Sequence, residues 1–220
     1  MSAPRDARLS PVHPAIRGFL AAAGPEDRDA RLWRRLESYA AARRFPIVGA
    51  EAGAWLERLV RVAGARRVAD LGAGWGHSAL WLSRGAGPGA EVHAVDGDPA
   101  SPGRFARLCG GHPAAAAVRY HTGEALAVLG GLPGAFDAIF VDIDKEAYPA
   151  ALEAAVPRLR PGGVLLVDNV LWGGKVVSPG PGDAGTAAVV RFVRAFLAHP
   201  ALDAGVLPVG DGLAVGWKRG

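Results

Sequence analysis

Asp142, Lys145, Asp168 and Asn169 are the residues of this 220-residue chain whose types and spacing could do chemistry together. Asp142 closes the apolar run AIFV at 138–141, and Asp168 closes the run VLLV at 164–167. Asn169 follows the second acid, and Lys145 stands three residues past the first. Three oxygen donors of this kind suit a hard divalent cation, Mg2+, Mn2+ or Ca2+, better than zinc. An octahedral ion held this way keeps three positions for water and substrate oxygens, and two neighbouring hydroxyls could chelate it. A single acid at a strand end is more often a solvated loop residue or a helix cap, and Asp144 is placed to cap the next helix. Here four such residues occur together, downstream of a glycine-rich turn at 72–76.

The elements that must position these side chains can be read locally. Short apolar, β-branched runs bounded by turn signals read as buried parallel strands. Between the two runs, Tyr148, Leu152, Ala155 and Leu159 recur at helical spacing, and Pro161-Gly162-Gly163 turns the chain back. A strand-helix-strand crossover sets its strands parallel, with their carboxyl ends at one edge. Asp142 and Asp168 are therefore predicted to face one crevice.

Upstream, residues 67–78 read RVADLGAGWGHS, a strand feeding a glycine-rich turn and a helix. Only glycine lets backbone and ligand approach so closely, so this is a nucleotide-binding arrangement. The dinucleotide fingerprint G-x-G-x-x-G would need glycine at 77, where His77 stands, which disfavours an NAD-dependent dehydrogenase. His77 itself reads as a partly exposed helix-start residue. The pattern G-x-G-x-G, preceded by Asp70, resembles the S-adenosylmethionine motif. A second strand at 91–95 ends at Asp96, twenty residues beyond Gly76. An acid at that distance accepts hydrogen bonds from ribose hydroxyls in doubly wound folds. Asp98, before Pro99, reads as a helix cap.

The segments FVDIDKEAY and RPGGVLLVDNVLWGGKV resemble the cation-dependent class I O-methyltransferases, the group of catechol and caffeoyl-CoA methyltransferases and their bacterial relatives. The resemblance runs from about Phe45 to the end of the chain. It implies a metal held by Asp142, Asp168 and Asn169, and Lys145 as base. It also implies that Asp70, Gly72 and Gly74 line the cofactor, that Ser78 contacts its methionine carboxylate, and that Asp142 lies near the methionine end. The turn Gly123-Glu124-Ala125 would sit beside adenine. The implied activity is methyl transfer from S-adenosylmethionine to a hydroxyl of a vicinal diol, a catechol-like aromatic small molecule, by a homodimer. Val193 departs from the pattern, because many relatives carry asparagine near the substrate there.

The fold expected is α/β: a doubly wound, seven-stranded, mostly parallel Rossmann-like sheet with an antiparallel C-terminal strand and extra N-terminal helices. Residues 1–64 form a helical cap and 65–220 the cofactor-binding and catalytic core of one domain. Residues 1–24, with Pro4, Pro11 and Pro14, are expected to wrap loosely around a short helix near 16–23. Pro25 opens a helix with Glu26, Asp27 and Asp29 in its first turn and Arg43 and Arg44 in its last. A helix over 51–63 buries Trp55, Leu59 and Val60. After Lys175, the Gly- and Pro-rich residues 176–185 read as a flap, followed by a helix over 187–198 and a closing hairpin over 206–217.

Composition excludes more than it selects. No run approaches the 18 or so apolar residues of a membrane span, and residues 1–6 lead into no signal-peptide core. One cysteine, Cys109, excludes an intramolecular disulfide framework and a thiolate zinc cluster, so a reducing cytoplasm is expected. Net charge is +4, yet residues 1–67 carry 13 Arg and 7 acids while the remainder carries 12 basic and 14 acidic residues. A basic region of this sort fits a solvated helical face, and also a rival activity, methylation of a hydroxylated base in tRNA. That rival requires the N-terminal arginines to cluster around the crevice. A third reading, a cofactor-binding interaction module without turnover, is disfavoured by the intact Asp142, Lys145, Asp168 and Asn169.

Overall fold

The structure is a computed structural model describing residues 12–220; the reading of residues 1–11 lies outside the described residues. Seven strands form one sheet: β1 (Arg67–Leu71), β2 (Glu91–Asp96), β3 (Val118–Thr122), β4 (Phe136–Val141), β5 (Leu159–Val167), β6 (Leu202–Leu207) and β7 (Leu213–Lys218). Their spatial order is β3-β2-β1-β4-β5-β7-β6. The first five are mutually parallel, and β7 inserts antiparallel between β5 and β6. This is the doubly wound, mostly parallel α/β sheet that the sequence predicts, and the strand order reverses between β1 and β4, where such folds open a crevice.

Alternate residues of each strand point to opposite faces, and both faces are apolar because both are covered. Val68, Val92, Phe140 and Val164 pack with Trp33 and Leu36 of α2 (Ala30–Ala41), Leu56 and Val60 of α3 (Ala50–Val62), and Leu80 and Trp81 of α4 (His77–Ala86). Leu71, Val95, Ile139 and Val167 pack with Leu129 of α6 (Ala125–Gly131), Leu152 of α7 (Tyr148–Arg158), and Phe192 and Phe196 of α8 (Ala184–Leu197). Each such fully buried side chain contributes roughly 1.5–3 kcal/mol relative to exposure. The remaining helices are α1 (Pro14–Ala23) and α5 (Ser101–Cys109). No helix among the described residues is long and apolar enough to cross a membrane.

Several local expectations are corrected. Pro25 does not open α2, which starts at Ala30 and ends before Arg43 and Arg44. Asp27 instead accepts from the Asp29 amide (2.8 Å) and the Trp33 indole (2.9 Å), folding the preceding turn back onto the helix. On α3 it is Leu56 and Val60 that are buried, while Trp55 faces out and Leu59 is half-buried. Pro161-Gly162-Gly163 does not precede β5 but lies within it, as a bulge between the pairs Phe136↔Leu159 and Ala138↔Val164. Asp144 makes no side-chain cap; its backbone carbonyl opens a 3-10 turn.

Candidate functional site

Strand register builds the site. Leu71 pairs with Val95 and with Val141, and Val141 with Val167. The next residue of each strand therefore falls in one row along the carboxyl edge: Asp96, Gly72, Asp142 and Asp168. Two hydrogen bonds extend the ladder into that row, Asp142 N–H to Leu71 O (2.9 Å) and Asp168 N–H to Val141 O (3.1 Å). Asp70, Asp96, Asp142 and Asp168 share the pleat phase of the residues that face α3 and α4, so one sheet face presents all four acids.

At the switch point, Gly72 has φ 88° and Gly76 has φ 91°, the left-handed region that a side chain resists. A Cβ on Gly72 would run into the Asp142 carbonyl, and one on Gly76 into the Phe105 ring. The turn delivers His77 and Ser78 to the start of α4. Ser78 Oγ donates to Asp70 Oδ2 at 2.7 Å, and Asp70 Oδ1 is buried without a partner. Burial, with smaller contributions from Asp142 and Asp96, pushes the Asp70 carboxyl up to about 7. Such an orphaned acceptor fits a ligand ammonium.

Asp96 accepts from Gly74 N–H (2.8 Å), Asp98 N–H (2.9 Å) and Ser101 Oγ (2.9 Å). It thus fixes the glycine turn while keeping one acceptor site, on Oδ2, for a hydroxyl. Glu124 is exposed and caps α6 through the amides of Leu126 (3.0 Å) and Ala127 (2.7 Å), and Ala125 is half-buried behind it. Asp98 is not the cap of α5, whose N-cap is Ala100 without a side-chain cap bond; its Oδ1 instead accepts from the Ala100 amide at 2.9 Å in the turn before the helix.

At the other end of the row, Lys145 Nζ converges on Asp142 Oδ1 (2.9 Å), Asn169 Oδ1 (2.8 Å) and Tyr148 OH (2.6 Å). Asn169 takes φ 55°, a conformation asparagine tolerates better than most residues. The loop holding it is pinned by Val170 N–H to Gly212 O (3.1 Å) and Leu171 N–H to Asp211 O (2.9 Å), so the closing hairpin supports the site. Asp168 is buried and its Oδ1 accepts from the Asn169 amide at 2.8 Å. Burial first, and then the Asp142 charge, raise its carboxyl. The donor set is two carboxylates and an amide, all oxygen, with an ammonium standing between two of them; it fits a hard cation. Among the described residues no group of three or more His, Cys, Asp and Glu side chains is placed to hold a metal.

Three contributors escaped the sequence reading. Phe45, Pro46, Ile47 and Val48, which connect α2 and α3, line a cavity together with Gly72, Gly74, Ser78 and Asp142; the apolar run FPIV between two helices was the available signal. Tyr148, read as a helix-face residue, instead ties Lys145 to the Asp168 carbonyl, donating to it at 2.8 Å. His77 is buried, not partly exposed: its ring stands edge-on to Trp33 at 5.5 Å, and burial lowers it to about 4, so it is neutral.

Comparison with known proteins gives a consistent picture. A family model described as O-methyltransferase matches residues 31–219. The catechol O-methyltransferase of Mycobacterium tuberculosis is 37% identical over 160 residues, covering 71% of each chain. An O-methyltransferase from Bacillus cereus, solved in complex with SAH, superposes with a TM-score of 0.81 at 27% identity, covering 93% of this chain and 97% of that one. The O-methyltransferase of Streptomyces achromogenes involved in tomaymycin synthesis, solved in complex with SAM, gives 0.80 at 26% identity, covering 94% and 96%.

Proposed function

Because the chain belongs to the O-methyltransferase family, we propose that it transfers the methyl of S-adenosylmethionine to one hydroxyl of a catechol-like small molecule. Asp142, Asp168 and Asn169 hold a divalent cation, Mg2+ in the first instance, and Lys145 acts as base. The observation that carries this reading is the convergence of Lys145, Asp142 and Asn169 on one point, in the same strand-end row as the glycine turn.

S-adenosylmethionine supplies an electrophilic methyl on a sulfonium whose charge disappears as the acceptor oxygen takes the methyl. The bound cation supplies Lewis acidity, favouring the ionised form of a phenol whose ordinary pKa is about 10. Asp70 Oδ1 is positioned for the methionine ammonium. For Ser78 to reach the methionine carboxylate, its hydroxyl must turn from Asp70. Asp96 serves the ribose and the Gly123-Glu124-Ala125 turn the adenine. Asp142 lies between the two halves, next to Gly72 on one side and Asp168 on the other. Lys145, held within reach of any hydroxyl oxygen bound between Asp142 and Asn169, would accept the hydroxyl proton only as the neutral amine, having first given its own ammonium proton to solvent, and would leave the acceptor oxygen free to form the O–CH3 bond. Fixing acceptor and methyl in line is worth several kcal/mol of barrier on general grounds.

The tRNA reading is less well supported. N-terminal arginines are spread over separate partners: Arg34 on Glu26 (2.6 Å), Arg35 on Leu108 O (2.7 Å), Arg61 on Glu57 and Arg67 on Glu91 (3.2 Å). The deciding experiment is methyl transfer to a panel of catechols and to unmodified tRNA, with and without Mg2+. Catechol methylation abolished by chelator is expected; tRNA methylation alone would replace this reading by its rival.

A further inference from the structure

Lys145 Nζ stands 2.9 Å from Asp142 Oδ1 and 2.8 Å from Asn169 Oδ1, between two of the three oxygens assigned to the metal. An octahedral Mg2+ sits about 2.1 Å from each of its oxygens. A dication bridging the same two oxygens would be in close contact with the ammonium, and the two positive charges repel strongly at that range. Only one of them can bridge the pair.

Resting on the metal site proposed above, we propose that Lys145 is a tethered counter-cation that the divalent ion displaces. Its ammonium bridges Asp142 and Asn169 and offsets the repulsion between Asp142 and the buried Asp168. When the ion enters, the ammonium leaves both oxygens and is retained by Tyr148. Nothing covalent changes; one cation replaces another. The same movement that admits the metal frees Lys145 from its carboxylate partner and leaves it beside the acceptor.

Three features support an exchange over a fixed ion pair. The Lys145 side chain is only 11% exposed, so its ammonium is confined to this pocket. Its second anchor survives the exchange: Tyr148 OH is 2.6 Å from Nζ, is itself fixed by donating to the Asp168 carbonyl at 2.8 Å, and is no part of the metal's donor set. The Ile143 carbonyl lies 3.4 Å away as a further acceptor, and the rings of Tyr148 (4.7 Å) and Trp172 (5.4 Å) offer their faces to the cation. The position to which Lys145 retires is thus already built.

The test is metal binding without turnover: Mn2+ titrated into the full chain, with the free ion counted by paramagnetic resonance. Removing the tethered charge in Lys145→Met or Lys145→Gln is expected to tighten Mn2+ binding by about tenfold or more. Lys145→Arg, which keeps the charge, should gain nothing. Tyr148→Phe should weaken binding several-fold in the parent but have little effect in the Lys145→Met background, where nothing needs retaining. A merely structural Tyr148 would weaken both alike. Melting curves identify any variant that has not folded, and the Gln variant stands in if Met has not. If the parent binds Mn2+ and both neutral variants bind it equally or more weakly, the exchange is overturned and the metal site stands. If the parent and the neutral variants all fail to bind Mn2+ while still binding S-adenosylhomocysteine by calorimetry, the metal site falls and the exchange with it.

Discussion

A carboxyl group shut away from water with one hydrogen bond prefers to keep its proton, and Asp70 is in that position. Burial raises it from 3.8 to about 7, so the folded chain binds this proton more tightly than the unfolded one. Its stabilising contribution is fully present below about pH 4 and is lost as pH rises through 7. Asp70→Asn, which can keep the Ser78 bond, is expected to melt a few degrees above the parent at pH 8, with the gap closing toward pH 4. The same variant loses a charged partner for the cofactor ammonium, worth about 1.5–3 kcal/mol, so calorimetry should show S-adenosylhomocysteine binding roughly 10- to 100-fold weaker. A variant less stable than the parent at pH 8 would refute this account. Asp168 and Lys145 separate the two halves of the site. Asp168→Ala should abolish metal-dependent turnover and leave S-adenosylhomocysteine affinity within a few-fold. Lys145→Ala should lower the rate constant by about 10²–10⁴ and recover partly at higher pH, as the acceptor ionises unaided. An Asp168→Ala enzyme as fast as the parent, or full activity in excess chelator, would remove the metal from the mechanism.

Among the elements, α2 and α3 are fastened to α4 by Arg84, whose side chain is 6% exposed. Its guanidinium takes Asp27 in a two-pronged pair (2.9 and 3.0 Å), reaches Asp29 (3.2 Å) and Glu57 (3.0 Å), and lies against the Trp33 and Trp81 rings, themselves stacked at 3.9 Å. Partial burial opposes the ionisation of Asp27, but hydrogen bonds from Arg84, the Asp29 amide and Trp33 outweigh it and hold the group down to about 2. That contribution is present above about pH 4 and lost as pH falls through 2. Arg84→Met removes the buried cation shared by Asp27, Asp29 and Glu57, of which Glu57 keeps Arg61 and Asp29 keeps Arg28, and is expected to cost about 3 kcal/mol, a fall in melting temperature on the order of 10 °C; Arg84→Lys should fall between. A melting temperature unchanged in Arg84→Met would show the clasp to be incidental. This clasp also explains where sequence reasoning stopped. The strands, their order-defining crossover and the row of acids were legible, because each depends on local apolar runs and glycine turns. The start of α2 was not, because Pro25 and three early acids are a valid start signal that the distant Arg84 and Trp33 override. Tyr148 was unreadable for the same reason: its helical spacing is real, and only the fold reveals that its hydroxyl meets Lys145.

Among the described residues, α1 has no covering surface. No residue of α1 is buried, and Ile16, Phe19 and Leu20 are 54%, 70% and 59% exposed. Ten residues are too few for a stable helix in water alone. Arg17 pairs with Glu51 at 3.3 Å, which ties α1 to the N-terminus of α3, and Trp55 lies one turn beyond Glu51 on the same helix face. Ile16, Phe19, Leu20 and Trp55 are thus exposed apolar side chains on α1 and α3, of the kind that association covers. We propose that a second copy of the chain covers them, in keeping with the homodimer expected from the sequence. These side chains lie on helices that precede β1, so pairing there would also brace the Phe45–Val48 connection that walls the cavity beside the glycine turn. Light scattering at micromolar concentration should give about twice the chain mass of 22.7 kDa. Placing charges on α1, Phe19→Asp with Leu20→Asp, should return the single mass while S-adenosylhomocysteine affinity stays within a few-fold, because neither residue lines that cavity. A parent that scatters as a monomer, or a doubly charged variant that remains a dimer, would exclude this surface as the interface and leave the chemistry of the strand-end row untouched.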